Sequence, residues 1–488
     1  MDTKDPNMNE DFAECGMFAS LSQQLGERLD QYFRFEHGDA MARADQWRSA
    51  LTMPVPQKGI GINAVMNEMS DILISNASQI PNPGCTSFIT TGATTSGALA
   101  TFAAAVAAPQ RASLTAFNYI EELSLQWMAE MFELHPDMKG VYSSGGSVAN
   151  LVGLGAARQS AFEQRGIDPA QEGVQLPCRI YATAASHHTI HRAAAVLGLG
   201  RNAVTTIDAD AQGRMCPRAL DHQLQADANA PFVRVAIVAN AGATSTGVID
   251  PLRQLGEIAQ AHNIWFHIDG AYGLPGILDP NVHPLYDGLE LADSVIVDPH
   301  KWLGAPVGIG ATYAKDRALL HRAFTQGEAD YLEGAFTHDD AVHSLDAMGI
   351  PYHDFGVELS APSRGAVVWA MIREIGKLGL RDRICRHNAM ARHIAERAHA
   401  HVNLEVVQEP VLSICCFRYI DENCDDLNEL NRRIHRQLVH NNRNIPSTAI
   451  INGTLAIRPC FVGARTTWQY ADALVDEVLS IGIQFTKR

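Results

Sequence analysis

Asp298-Pro299-His300-Lys301-Trp302-Leu303-Gly304 follows directly on Ser294-Val295-Ile296-Val297, a β-branched apolar run of strand length. Such a run predicts a buried strand that delivers His300 and Lys301 to its carboxyl end. Lysine carries a strongly hydrated charge and is seldom fully buried without a partner. Between strand and turn, beside His300 and Trp302, Lys301 reads as a desolvated, nucleophilic amine, against the plainer reading of a snorkelling surface lysine. An amine of that kind forms a Schiff base with a carbonyl, and pyridoxal phosphate is the commonest resident carbonyl.

Upstream, short apolar runs alternate with helical stretches from about residue 81 to 340. Arg179 to Thr183, Ala203 to Ile207, Val233 to Ala239, Ile264 to Ile268 and Gly310 to Ala314 join Ser294 to Val297 as expected strands, with helices such as Leu252 to His262 between them. Near-continuous apolar strands alternating with helices predict an α/β fold with a mostly parallel sheet covered on both faces. Ligands gather at the carboxyl ends of such strands.

The strand ends carry chemistry. Gly145-Gly146-Ser147 opens a helical pattern from Val148 to Gln164, and unpaired N–H groups at a helix start suit a phosphate, although helix caps commonly look like this. His187, after the strand Arg179 to Thr183, is placed to stack on a planar cofactor or to be a satisfied structural histidine. Thr244, in Ala243-Thr244-Ser245-Thr246-Gly247, brings a hydroxyl. Asp269, at the end of Ile264 to Ile268, has the chemistry to pair with a protonated pyridine nitrogen, or merely to cap a loop; Ala271 is small enough to lie beneath a ring. Each signal is weak alone, and their joint occurrence with Lys301 is strong.

Gly145-Gly146-Ser147, His187, Thr244, the Asp269-Gly270-Ala271 turn and Asp298-Pro299-His300-Lys301-Trp302 resemble the pyridoxal-dependent decarboxylases of the group that includes aromatic-amino-acid, histidine, glutamate and diaminobutyrate decarboxylases. The resemblance covers nearly the whole chain. It implies pyridoxal 5'-phosphate fold type I, aspartate-aminotransferase-like, working as a homodimer with shared active sites. Lys301 would then hold the cofactor as a Schiff base and Asp269 would pair with the pyridine nitrogen. His187 would stack on the ring and Ala271 would line its other face, while Gly146, Ser147 and His300 would serve the phosphate, with Gly145 and Thr244 also in the cofactor site. The family carries a mobile Tyr-Leu loop about thirty residues after the lysine, here Tyr331-Leu332 between Gly327 and Gly334; Tyr331 would protonate Cα after carbon dioxide leaves. The expected activity is decarboxylation of an L-amino acid to its amine. The alternatives are an aldehyde synthase or oxidase, another carbon–carbon lyase of the family, or a binder of the cofactor without turnover.

Residues Asn82 to Thr91 depart from the aromatic-rich segment of the aromatic decarboxylases, being dominated by small and hydroxylated residues, which speaks against a flat aromatic substrate or else makes a wider pocket, with Thr90 and Thr91 the positions expected nearest the substrate. Arg364 matches a basic family position, but Ala361-Pro362 replaces the pair of arginines found there in the animal aromatic and histidine enzymes, which leaves Arg364 either structural or a contact to phosphate or substrate.

Domain organisation follows the pattern. Residues 1 to 80 read as a helical arm, with Phe18, Leu21, Leu25, Leu29, Tyr32 and Phe33 at helical spacing and no core of its own, which calls for a partner subunit. Residues 81 to 355 form the expected large cofactor-binding domain and 356 to 488 an α+β C-terminal domain, with helices Arg364 to Leu378, Asp382 to His401, Asp425 to Asn441 and Trp468 to Ile481, a strand Val411 to Tyr419, and a hairpin turning at Asn452-Gly453.

The 488 residues carry 38 basic against 54 acidic side chains, a net charge of −16, which argues against general binding to nucleic acid or anionic membranes. Met1 to Asp11 lacks a signal-peptide pattern, and Ala98 to Ala108 is too short to span a bilayer. The 9 cysteines show no paired or metal-ligand spacing and fit reduced thiols in a cytoplasm, with no metal expected.

Overall fold

The computed structural model describes residues 17–36, 40–109, 111, 115–325 and 349–486. Two compact units divide the chain between Cys85 and Thr86.

The first unit is helical, with α1 (Met17–Tyr32), α2 (Ala44–Leu51) and α3 (Ile62–Glu68), the last continuing through tighter and wider turns to Asn76. None of these helices has a fully buried side chain. Met17, Phe18, Leu51, Ile62 and Val65 stand exposed. An apolar stripe of this kind has no core within its own unit.

In the second unit α4 (Thr95–Ala107) and α5 (Ala116–Met131) precede a seven-stranded sheet. Its strands are β1 (Lys139–Ser143), β2 (Cys178–Thr183), β3 (Val204–Ile207), β4 (Val233–Asn240), β5 (Trp265–Asp269), β6 (Ser294–Val297) and β7 (Gly310–Ala314), in the spatial order β1-β7-β6-β5-β4-β2-β3. The pairs β3–β2, β2–β4, β4–β5 and β5–β6 are parallel, while β7 runs antiparallel to both β6 and β1. Helices α6 (Gly146–Glu163), α7 (Thr189–Val196), α8 (Pro217–Ala226), α9 (Leu252–Ala261) and α10 (Arg317–Phe324) fall between or after the strands.

The near-continuous apolar runs have the reason expected of a doubly covered sheet. Along β4, Ile237 and Ala239 enter one core cluster and Val235, Ala236 and Val238 another, so both faces are buried. Each such valine or isoleucine contributes roughly 1.5–3 kcal/mol by leaving water. In register, Asn240 lies beside Asp269 and Asp269 beside Ile296, which brings the last residues of β4, β5 and β6 to one edge.

The chain closes with α11 (Arg364–His399), β8 (Leu404–Gln408), β9 (Cys416–Tyr419), α12 (Leu427–Asn441), β10 (Ile445–Ile451), β11 (Thr454–Arg458) and α13 (Trp468–Thr486). β10, β11, β9 and β8 pair antiparallel in that order, with α12 and α13 packed on a core of their own. The two expected helices from Arg364 to His401 are both present within the span of α11, separated at Gly376, whose φ of 68° and ψ of 171° break the helical path. No helix among the described residues is long and apolar enough to cross a membrane.

Candidate active site at the carboxyl edge of the sheet

β6 ends at Val297, and the next four residues build the centre of a cavity of about 280 Å3. The Asp298 N–H donates to the Ala271 carbonyl at 3.0 Å and the Lys301 N–H to the Asp298 carbonyl at 2.9 Å, so the turn is tied to β5 and folded back on itself. This fold-back brings Lys301 Nζ to 3.0 Å from Asp298 Oδ2, with the carboxylate only 1% exposed. Neither carboxylate oxygen completes a hydrogen bond with another protein group, so charge alone holds the ammonium there. His300 Nδ1 donates to the Ile309 carbonyl at 2.6 Å, which turns the other ring edge toward the helix start at Gly145.

That helix is α6. Gly145 has φ +126°, and Val148 and Ala149 already donate to its carbonyl, which leaves the N–H groups of Gly146 and Ser147 without carbonyls one turn back. A Cβ at Gly146 would lie 2.5 Å from Asp298 Oδ2, so glycine is what lets the helix start close on the lysine turn. The result is an anion cradle beside a free amine.

Opposite, Asp269 Oδ1 accepts from the Ala271 N–H at 3.1 Å and Oδ2 from Asn150 Nδ2 at 3.0 Å. His187 follows β2 and forms a wall, its Nδ1 2.9 Å from Thr189 Oγ1. Burial draws the His187 pKa down, and the neighbouring His188 and Lys301 charges add to that while Asp269 and Asp298 oppose it. Thr244 lines the cavity, and its carbonyl is gripped by the Arg458 guanidinium, which also donates through Nε to the Ser245 carbonyl at 3.0 Å.

Gly145, Gly146, Ser147, His187, Thr244, Asp269, Ala271, His300 and Lys301 therefore line one cavity. Thr90 and Thr91 are not on its wall within a single chain; Thr91 Oγ1 turns back to the Gly92 carbonyl at 2.7 Å. Arg364 is 4% exposed and clamps Glu358 with two bonds of 2.7 and 3.0 Å, while its Nε donates to the Gly308 carbonyl at 3.0 Å. Within the single chain these bonds hold it off the Lys301 cavity. Tyr331 and the Gly327 to Gly334 loop lie outside the described residues.

Asn150, Thr189, Asn240, Tyr272 and Asp298 also line the cavity without having been picked out as site residues. A signal existed for Asn150, since it stands four residues after Gly146 on the same helical face. Asp298 was visible in the lysine motif, but sequence does not reveal that its side chain turns inward.

Buried histidines outside the wall give a pH expectation. Burial pulls His267 down to about 4 and His387 to about 3, the latter accepting from Trp302 Nε1 at 3.0 Å on Nδ1. Asp250 is pushed the other way, up to about 6, by burial. Between pH 4 and 6 the unfolded chain binds a proton on each histidine that the folded chain does not, while folded Asp250 keeps one that the unfolded chain has released. Depressed histidines therefore favour the fold at higher pH, and raised Asp250 partly offsets them. Replacing His387 with glutamine should flatten the pH dependence of the urea-unfolding free energy by roughly 1.4 kcal/mol per pH unit across this window. An unchanged slope would mean that His387 is protonated in the folded protein.

The fold and the site define a pyridoxal-phosphate enzyme of fold type I. The pyridoxal-dependent decarboxylase conserved domain matches residues 45–420, and the chain belongs to that family. It is 26% identical over 430 residues to an aromatic-L-amino-acid decarboxylase of Bacillus atrophaeus, with 87% of this chain and 86% of that protein covered. To L-2,4-diaminobutyrate decarboxylase of Rhizobium meliloti (strain 1021) it is 30% identical over 383 residues, covering 75% and 71%. Among solved structures, Oryza sativa TDC with PLP and tryptamine superposes with a TM-score of 0.86 at 21% identity, covering 99% of this chain and 100% of that one. The enzyme is a carboxy-lyase and its cofactor is pyridoxal phosphate. The residues present suit that group: a free amine, an anion cradle at a helix start, and a buried carboxylate with acceptor capacity left.

Proposed function

We propose that this protein decarboxylates an L-amino acid to the corresponding amine and carbon dioxide, with Lys301 as the amine that holds the cofactor. The observation that carries the reading is Lys301 Nζ lying 3.0 Å from buried Asp298 in a cavity shared with Asp269 and the α6 start. Gly145, Gly146, Ser147 and His300 hold the phosphate, Ala271 and His187 face the ring, Thr244 borders it, and Asp269 pairs with the pyridine nitrogen. When bound there, pyridoxal phosphate supplies an electron sink beside the substrate α-carbon. Asp269 keeps that sink cationic, because a buried carboxylate stabilises a proton on a nitrogen facing it. Lys301 would hold the cofactor between turnovers, and His187 would orient the substrate carboxylate. Tyr331 then gives a proton to the α-carbon.

The relatives act, by their names, on aromatic amino acids and on diaminobutyrate. For this chain the segment Asn82 to Thr91, with Phe88 its one aromatic residue, lacks the aromatic richness of the aromatic decarboxylases, which disfavours a flat aromatic side chain. Support for a homodimer comes from exposed apolar surface on the second unit, where Leu99 is 62%, Val106 60% and Val307 74% exposed, and from the unburied stripe of the arm. Free thiols at the described cysteines suit a cytoplasmic location.

Carbon dioxide release across the L-amino acids and diaminobutyrate, with products identified by mass, tests the reading. Amine from one substrate supports it. Aldehyde with ammonia instead would make this an aldehyde synthase, and no release from any candidate would contradict decarboxylation of these substrates. Tyr331→Phe is expected to slow amine release by about 10²-fold, the scale of a lost general acid, and to raise the share of aldehyde; unchanged amine production would remove Tyr331 from the mechanism.

A further inference from the structure

A chain of hydrogen bonds runs from behind the cavity wall to Asp269 and His187 through Trp265, Ser294, His267, Asn150 and Thr189, which none of the proposed roles uses. Trp265 Nε1, which can only donate, reaches Ser294 Oγ at 2.7 Å. Ser294 Oγ lies 2.7 Å from His267 Nδ1, and His267 Nε2 2.9 Å from Asn150 Oδ1. Asn150 Nδ2 reaches both Asp269 Oδ2 at 3.0 Å and Thr189 Oγ1 at 3.1 Å, and Thr189 Oγ1 lies 2.9 Å from His187 Nδ1.

The direction of this chain is set from the Asp269 end. The indole can only donate to Ser294, whose hydroxyl can then donate to His267 Nδ1 or accept from it; the choice is made at the other end, where Asn150 Oδ1 takes a proton from His267 Nε2. His267 then carries its proton on Nε2 and gives it to the Asn150 carbonyl oxygen. The Asp269 carboxylate accepts only, so a flipped Asn150 would set oxygen against oxygen at 3.0 Å. With the amide fixed, Thr189 accepts from Asn150 and is left to donate to His187 Nδ1. The Thr189 N–H, 3.4 Å from the same nitrogen, points the same way. His187 therefore holds its proton on Nε2.

His267 is fully buried, and burial keeps it uncharged at neutral pH. Its ring is seated against Gly153 of α6, where a Cβ would come within 2.7 Å of Cε1. A glycine one turn along the helix from Asn150 is what allows the two elements to close on the imidazole.

We infer that His267 is a positioning residue for the reaction: through Asn150 it holds one hydrogen bond on the Asp269 carboxylate, and through Thr189 it keeps the His187 proton on Nε2. The inference rests on the proposed placement of Asp269 and His187 against the cofactor. It adds that their geometry and tautomer are dictated from a side chain outside the cavity wall.

The test is long-range 1H–15N spectroscopy of the [15N]histidine-labelled apoprotein, with the two rings assigned from His187→Gln and His267→Gln spectra. Both rings are expected as neutral Nε2–H tautomers, and an Nδ1–H tautomer at either would overturn the inference. A second measurement is the dissociation constant for pyridoxal phosphate. His267→Phe, with no donor for Asn150, is expected to bind about tenfold more weakly and to mix the His187 tautomers, as loss of a hydrogen bond to a charged group implies, while His267→Gln, whose carboxamide N–H replaces the donor, stays within about twofold. Wild-type affinity together with an unchanged His187 tautomer in His267→Phe would overturn the inference. If that variant does not fold, Asn150→Ala removes both the bond to Asp269 and the acceptor that holds the proton on Nε2; a mixed His267 tautomer with about tenfold weaker pyridoxal phosphate binding is the expected result, and an unmixed tautomer with wild-type affinity would overturn the inference. The proposed function fails separately, on Lys301 and Asp269, whatever the tautomers are.

Discussion

Lys301→Ala is expected to abolish the visible absorbance of lysine-bound cofactor and to lower turnover by at least about 10³-fold, the scale on which removing a reacting nucleophile acts. The expectation follows from position. Lys301 Nζ lies in the cavity 3.0 Å from Asp298, and its side chain is 20% exposed, so the amine is held near the ligand space without being sealed from it. The fold should survive, because the turn is held by backbone bonds from Asp298 to Ala271 and from Lys301 to Asp298, not by the side chain. Circular dichroism matching the wild type, with no visible band and no carbon dioxide release, is the expected set of results. A retained band would put the cofactor amine on another residue.

Asp269→Asn should leave the cofactor attached to Lys301 but lower kcat by about 10² to 10³-fold, the loss typical of one preorganised electrostatic partner. The replacement has the same shape, and its carbonyl can still accept from the Ala271 N–H or from Asn150. What it lacks is the negative charge that keeps a facing pyridine nitrogen protonated. The change should therefore appear in kcat with little effect on KM, since it removes an interaction that strengthens as charge develops. Wild-type kcat in this variant would remove Asp269 from its proposed role.

The sheet was legible because its strands are buried on both faces and read as unbroken apolar runs. Ser294 to Val297 and Gly310 to Ala314 match their expected bounds, β2, β3 and β4 differ by one residue at one end, and β5 by one residue at each end. β1 was not expected, because Gly140 and Ser143 dilute its apolar run and the loop of glycines and serines that follows dominates the reading. The bend in α11 falls at Gly376 instead of between Leu378 and Asp382, where a positive φ is easy for glycine and the helix resumes at once. Within the site, residues at strand ends were legible one by one. The side chains that hold them were not, since Asn150 and His267 are 117 residues apart and meet only when α6 packs on β5. Thr90 and Thr91 were chosen by position in a segment, and a single chain does not bring them to the cavity wall.

Borohydride reduction of the holoenzyme, followed by digestion and mass mapping of the pyridoxyl label, tests the central claim most directly. Label on Lys301 alone is the expected result. Label on any other lysine, or none on a protein that still releases carbon dioxide from its substrate, would contradict it.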